Sequence, residues 1–518
     1  MSLTKSSSGL QLPQYEHQPT ATTSRTKRLA VLVLGLVTIG GLAVFSNCNA
    51  QHSPDPNRVR FVRRATGTEA TVANLLNAGF NESNTVAWDR LAEMTDLYGN
   101  RMTASKAYDK SAQWVVNTVK KHDKDFKVWT EPVWVNKWER GDESLRLYVP
   151  TRPGGSIDIP VLALGNSVST SKKGITANVI PVHSFEELEK LGKKAIAGNI
   201  VLFNYHFTSY GEVVRFRSRG AQEAAKYGAL AALVRTATPD SSVSSVHTGN
   251  SARTTIPAAS ISPADANLIE RLYKRALAGN SKDFVFPKVK LSLENKFKEN
   301  ATQSDNVIFD LKGSERPDEI VLLSGHFDSW DVGVGAMDDA AGAFLAWEAA
   351  RLIANERRPP KRTIRVVMWN NEETLQRGAN AYFEAHKNEI AKHKFAIESD
   401  IGVFEPWGMD VQADKAVIDT LVGYGKDYIK VLGAGNITKS EEPPAEDISI
   451  LCEAGVPCGG WLSVSPEGNL APNHPRWGDH YFRHHHAQSD RVEVIDAGQL
   501  RRSAAALAAW AYLIADAE

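Results

Sequence analysis

The chain has 518 residues, with 60 Lys+Arg against 60 Asp+Glu and a net charge of zero. That balance supplies no electrostatic reason to bind nucleic acid or an anionic membrane surface. The length exceeds one ordinary domain, and 42% hydrophobic with 23% charged residues is ordinary for a folded globular protein.

In chain order, the first 28 residues are polar and end in Arg25, Lys27 and Arg28, followed by an apolar run from Leu29 to Phe45 and then SNCNAQ. This reads as a signal sequence cleaved near Ala50, with an uncleaved signal anchor as the alternative. Either way the basic residues stay inside and the remainder is exported. Cys48 follows FSN, a poor lipidation context. Residues 85–123 carry two helical patterns, and 126–150 alternate in the manner of strands. A second unit follows between residues 156 and 292: AGNIVLFNY reads as a strand, RGAQEAAKYGALAALVRT as a helix leading into a strand, and TTIPAASIS as another strand. Arg217, in VVRFRSRGA of this unit, is expected to be a structural surface arginine, with a substrate carboxylate as its alternative partner.

From residue 293 onward the pattern becomes strand–helix alternation. EIVLLSGH, TIRVVMWNNEE and KFAIESD are apolar runs that each end in polar residues, and helix-like stretches lie between them. This predicts an α/β fold with a doubly wound, mostly parallel sheet. Such sheets build their sites just past the C-terminal ends of their strands. The chain ends in an Ala-rich stretch, AGQLRRSAAALAAWAYLIADA, expected to be an amphipathic helix on the sheet.

At or just past those strand ends lie His326 and Asp328 in SGHFDSWD, Glu372 and Glu373 in WNNEET, and Asp400 in AIESDIG; Asp338 in GAMDDAAG and His486 in RHHHAQSD complete the set. Two imidazoles and several carboxylates suit borderline cations such as zinc. Two such ions could share a water and polarise a carbonyl, with a nearby carboxylate as general base. Of Glu372 and Glu373, only one can face a metal if the chain is extended there. Spacing does not say which.

The motif HxDSWDxGxGAxDDxAG, then NEE, then ESDxG, then a His-rich stretch ending in HxxxD resembles the co-catalytic zinc exopeptidases. That family includes bacterial leucyl aminopeptidase and glutamate carboxypeptidase II. The resemblance covers nearly all of the chain after about residue 80, including the opening pattern GxRxTAS. It implies that residues 51–155 and 293–518 form a peptidase domain and that 156–292 is a protease-associated-like insert. It implies two zinc ions per subunit, with Asp338 bridging, His326 and Asp400 completing one site, and Glu373 and His486 the other. Glu372 becomes the general base, and Asp328 the carboxylate that orients the His326 ring. The family's last ligand lies four residues before an acid, which selects His486 ahead of Asp490, with His485 as the alternative. Ala487 stands where family members often carry Ser or Thr.

The activity implied is hydrolysis of dipeptides or short peptides. An aminopeptidase of the same family is the runner-up. A glutaminyl-cyclase-type acyltransferase and a non-catalytic receptor fit less well with a complete ligand set. The expected partner is a small peptide; a homodimer is implied by the resemblance only. Cys452 and Cys458 flank EAGVP, and an oxidising compartment permits a short disulfide there, two buried thiols being the alternative. The sequons at Asn81, Asn300 and Asn436 matter only in a host that glycosylates.

Overall fold

The computed structural model describes residues 67–239, 245–279, 282–444 and 446–518. The leader, its apolar run and Cys48 lie outside the described residues. Two eight-stranded sheets organise the rest.

The larger sheet has at its centre four parallel strands, Arg362–Trp369, Arg316–His326, His393–Glu398 and Cys458–Val464, in that spatial order. Antiparallel strands flank them on both sides. The strand Arg316–His326 shows why the sequence reads as a continuous apolar run. Val321 and Leu323 enter the core on one face, while Ile320 and Leu322 enter a separate core on the other. Helices Thr68–Ala78, Val86–Tyr98, Lys106–His122, Ala341–Ala354 and Ala497–Asp516 contribute to the first core. Arg377–His386 and Ser449–Glu453 contribute to the second. The sheet is therefore covered on both faces, as the alternation predicted.

The smaller sheet is built from residues 143–293, with four parallel strands, Ile175–Val182, Ile200–Phe203, Ala231–Arg235 and Ala258–Ile261. It repeats the two-sided pattern: Ile200 and Leu202 face one core, Val201 and Phe203 the other. The segment after its third parallel strand reaches the larger sheet's loops. Thr248 N donates to the His486 carbonyl at 2.9 Å, and His247 pairs antiparallel with Ala487.

The C-terminal helix departs from expectation. Every residue from Ser503 to Asp516 is buried, so it is not amphipathic. Its short alanine side chains let helices Ala341–Ala354 and Thr68–Ala78 and the strand Glu405–Gln412 close around it from all sides. No helix among the described residues is long and apolar enough to cross a membrane. Cys452 and Cys458 form a disulfide.

Candidate metal centre

Parallel register brings the site together. His326 is the last residue of its strand and lies opposite Trp369, three residues before Glu372. Ser324 lies opposite Glu398, which places Asp400 two residues beyond. Asp338 comes in on the tight turn Ala336–Ala340, between the His326 strand and the helix that follows. The peptide between Asp338 and Asp339 is cis. Gly325 lets this turn approach: a Cβ there would stand 2.5 Å from Ala343 N and 2.6 Å from an Asp339 oxygen.

The predicted residues converge, and Asp338 lies at their middle. Its Oδ1 is 3.2 Å from His326 Nε2, which is also 3.2 Å from Asp400 Oδ1. Its Oδ2 is 3.3 Å from His486 Nε2, which is 2.8 Å from Glu373 Oε2. The two oxygens of one carboxylate thus face two imidazole–carboxylate pairs. Two donors on a tetrahedral zinc with bonds of 2.0–2.1 Å stand roughly 3.3 Å apart. By hydrogen-bond geometry Asp338 Oδ2 and Asp400 Oδ1 are buried acceptors without a partner, although imidazole nitrogens lie 3.3 and 3.2 Å from them. Orphaned buried acceptors are costly, and a cation removes the cost. The donor set and the orphaned oxygens fit a zinc pair.

Glu372 and Glu373 open a short helical turn, Glu372–Leu375, entered through Asn371 at φ 74°. The chain is not extended there. The turn still separates the two acids: Glu373 is buried against His486, while Glu372 is partly exposed with Oε2 4.0 Å from His326 Nε2. Burial pushes Glu372 up to about 8, and Asp400, Asp328 and Asp338 add to this against the opposing His326. Cations placed among these acids would draw it down.

Asp328 acts differently from the expected orienter of His326. The His326 Nδ1 meets the Asp328 backbone carbonyl at 2.9 Å, while the carboxylate lies 3.9 Å away. Asp328 Oδ1 instead accepts from Glu372 N at 3.0 Å, so the carboxylate fixes the turn that carries both glutamates. Burial would lower the His326 pKa, but Asp400, Asp338 and Glu372 outweigh it and hold the ring well above its ordinary value. His486 goes the other way: burial, with His485 and Arg217 beside it, pushes it well below.

His486 sits at φ 61°, a left-handed conformation unusual for a side chain with a Cβ. Strain of this kind persists where the surroundings over-determine it. Here the His247–Ala487 pairing and the Thr248 bond do so. His485 stacks on His486 with ring centroids 3.5 Å apart, and its Nε2 is 3.6 Å from Asp338 Oδ2. It is therefore within reach of the same carboxylate, but Glu373 stands against His486.

Sequence reasoning gave no role to several supports. The Arg101 guanidinium is fully buried and donates to the carbonyls of Phe327, Val334 and Gly335, each at 2.7 Å, clamping the His326 and Asp338 loops together. Asp490, used only to select His486, accepts from Met337 N at 2.7 Å and Asp338 N at 3.2 Å. Asp339 accepts from His326 N and Gly342 N, both at 3.1 Å. The DD doublet and the GxRxTAS pattern were the available signals for Asp339 and Arg101. Arg217 is not the surface residue expected: its Nη1 is 3.2 Å from His486 Nδ1 and its Nε is buried.

The chain is similar to known peptidases over most of its length. Residues 306–511 match the model of peptidase family M28. Carboxypeptidase Q of Xenopus laevis is 34% identical over 497 residues, covering 95% of this chain and 99% of that protein. Carboxypeptidase Q of Homo sapiens is 34% identical, covering 85% and 88%. The crystal structure of a peptidase M28 precursor from Shewanella amazonensis superposes with a TM-score of 0.76 at 28% identity, covering 87% of this chain and 98% of that one. A zinc aminopeptidase from Bacillus subtilis shares the fold at TM-score 0.60 and 19% identity, covering 83% and 95%.

Proposed function

The chain belongs to peptidase family M28, a carboxypeptidase Q-like metallo-exopeptidase, and from that premise we propose that it hydrolyses dipeptides and short peptides outside the cytoplasm using two zinc ions per subunit. One observation carries the two-ion reading: Asp338 turns one oxygen to His326 and Asp400 and the other to His486 and Glu373.

In this reading His326, Asp338 and Asp400 hold one ion, and His486, Asp338 and Glu373 the other. Bound zinc supplies Lewis-acid polarisation of the scissile carbonyl and makes water a stronger acid. Glu372, the least buried of the glutamate pair and tied to neither imidazole at short range, takes the proton from the attacking water on its carboxylate. It then returns that proton to the leaving amine. Asp328 keeps Glu372 in place by fixing its backbone N–H. Arg101 and Asp490 hold the loops of the two half-sites in register. The Cys452–Cys458 disulfide supports an oxidising, extracytoplasmic location.

The test is hydrolysis of a dipeptide library by the exported protein, with and without a chelator, alongside metal analysis by mass spectrometry. Expected are two zinc ions per chain and chelator-sensitive release of both amino acids. Saturation at one ion or none counts against the two-metal reading. Turnover of C-terminally blocked peptides alone moves the assignment to an aminopeptidase.

A further inference from the structure

The chain passes from the larger sheet to the smaller between the strands Phe126–Glu139 and Glu143–Tyr148, and the first residue of that passage is Arg140. A guanidinium has five N–H groups, and here all five are used. Nε and Nη2 grip the two oxygens of Asp331 at 2.9 Å each, as a bidentate pair. Nη1 donates to the Ala163 carbonyl at 2.6 Å and to Glu143 at 3.3 Å. Nη2 also donates to the Thr248 hydroxyl at 2.9 Å. Asp331 lies in the loop that follows His326; Ala163 and Thr248 belong to the smaller sheet's part of the chain. One side chain therefore ties a loop of the metal centre to the smaller sheet.

Thr248 carries the link onward. Its hydroxyl accepts from Arg140 and donates to the Ala163 carbonyl at 3.0 Å, which fixes the side chain and the backbone that bears it. Its backbone N–H then donates to the His486 carbonyl at 2.9 Å. The joint around these bonds has no slack. Trp330, next to Asp331, packs its ring 5.8 Å from the His486 ring and 6.3 Å from the Trp138 ring, centroid to centroid. Gly165 closes over it from the smaller sheet's side: a Cβ there would stand 2.1 Å from a Trp330 ring carbon. Trp330, Thr248 and His486 are all buried.

The two half-sites depend on this joint unequally. His326 ends a central strand of the larger sheet, and its N–H is held by Asp339. Its ring position is set without the smaller sheet. His486 instead follows the short helix Tyr481–His484 and keeps a left-handed φ of 61°. Asp490 anchors the far end of that segment, but the bond to the His486 peptide itself comes from Thr248. We propose that Arg140 is a positioning residue for the second half-site. By fixing Thr248 against Asp331 it sets the conformation of His486, and with it the affinity for the ion held by His486, Asp338 and Glu373. The inference rests on the two-ion reading above. The competing account is that Arg140 only cements the two sheets.

The experiment titrates the apo protein with zinc against a chromophoric chelator, which yields two stepwise dissociation constants. Glu373→Gln and Asp400→Asn assign those constants, because each removes a ligand from one half-site only. Arg140→Met should weaken the His486 ion by about 10–100-fold, the usual loss for a group that orients a metal ligand, and leave the His326 ion little changed. Its kcat should fall at limiting zinc and return to within a few-fold of wild type at saturating zinc. Thr248→Val, which loses the hydroxyl and keeps the N–H, should shift the same constant by less. It should add little in the Arg140→Met background, because the two act through one link. Should Arg140→Met fail to fold, Asp331→Asn and Thr248→Val carry the same test by milder changes. A lowered Tm with both constants unmoved, or both weakened alike, would show cement and overturn the proposal. Wild type that saturates at one ion overturns the two-ion reading and this inference with it; wild type that takes two, with the variants' constants unmoved, overturns this inference alone.

Discussion

Two clusters of acids and imidazoles sit at the C-terminal ends of parallel strands in this molecule, one on each sheet. In the smaller sheet His183, Asn204 and Arg235 lie at or just past three strand ends, and Glu270 comes from the helix that follows the fourth. Every acceptor there is met. His183 bonds Glu187 at 2.9 Å and Glu270 at 3.0 Å, Asn204 and Lys274 also reach Glu270, and Asn267 takes Arg235 at 3.1 Å. In the larger sheet His326, Glu372, Glu373 and Asp400 occupy the equivalent places, and carboxylate oxygens are left without donors. Residue types and strand position are alike. The count of donors against acceptors separates a self-contained polar network from a site that awaits a cation.

The sharpest break of this comparison is Asp338→Ala. The two half-sites share that carboxylate, so both should empty. The several kcal/mol of charge stabilisation lost should lower kcat/KM by about three orders of magnitude or more. Mass-spectrometric metal content and kinetics on the same sample check it; retention of two ions would show that the carboxylate does not bridge.

Glu372→Gln comes next. Its kcat should fall by about 10²–10⁴-fold with both metals kept and KM little changed. Glu373→Gln should instead lose metal first. If Glu372→Gln empties a site while Glu373→Gln does not, the two roles are exchanged.

Asp328→Asn should cost about 10–100-fold in activity, as supports of metal sites commonly do, through the Glu372 turn rather than through His326. A crystal structure of the variant should show the turn at 371–373 displaced and the His326 ring in place.

The smallest effect belongs to the paired cluster. Glu187 and Glu270 raise His183 to about 9, so its stabilisation is full below the ordinary histidine pKa and is lost as pH rises through about 9. Glu270 is held at about 2: burial opposes, but His183 and Lys274 outweigh it, so its contribution persists down to low pH. His183 is half-exposed, so the pair is worth roughly 0–1 kcal/mol after screening. His183→Ala should lower Tm by at most about 2–4 °C at pH 6 and by less at pH 10, with activity unchanged. Calorimetry at the two pH values decides; a larger loss at pH 10 would contradict the assigned direction.

The strands were legible because each is buried on both faces and therefore reads as an unbroken apolar run, EIVLLSGH most plainly. The polar residues closing those runs named five of the seven positions that the fold gathers, and the motifs GAMDDAAG and RHHHAQSD supplied Asp338 and His486. The glutamate pair was half legible: the doublet was visible, but the helical turn that parts the two side chains depends on Asn371 at positive φ and on Asp328 from another strand end. The C-terminal helix misled because alanines score as one apolar stripe beside polar ones, whereas its surroundings bury it throughout.

By itself, then, the sequence determined the two-sided sheets and the side chains at their strand ends, because local periodicity and residue chemistry are written along the chain. Only the tertiary structure decided which of these side chains lack donors, that Asp338 faces two imidazoles, and that Arg217 reaches His486 from a different sheet. Those facts depend on neighbours drawn from separate segments, as far as 269 residues apart for Arg217 and His486, and no local pattern carries them.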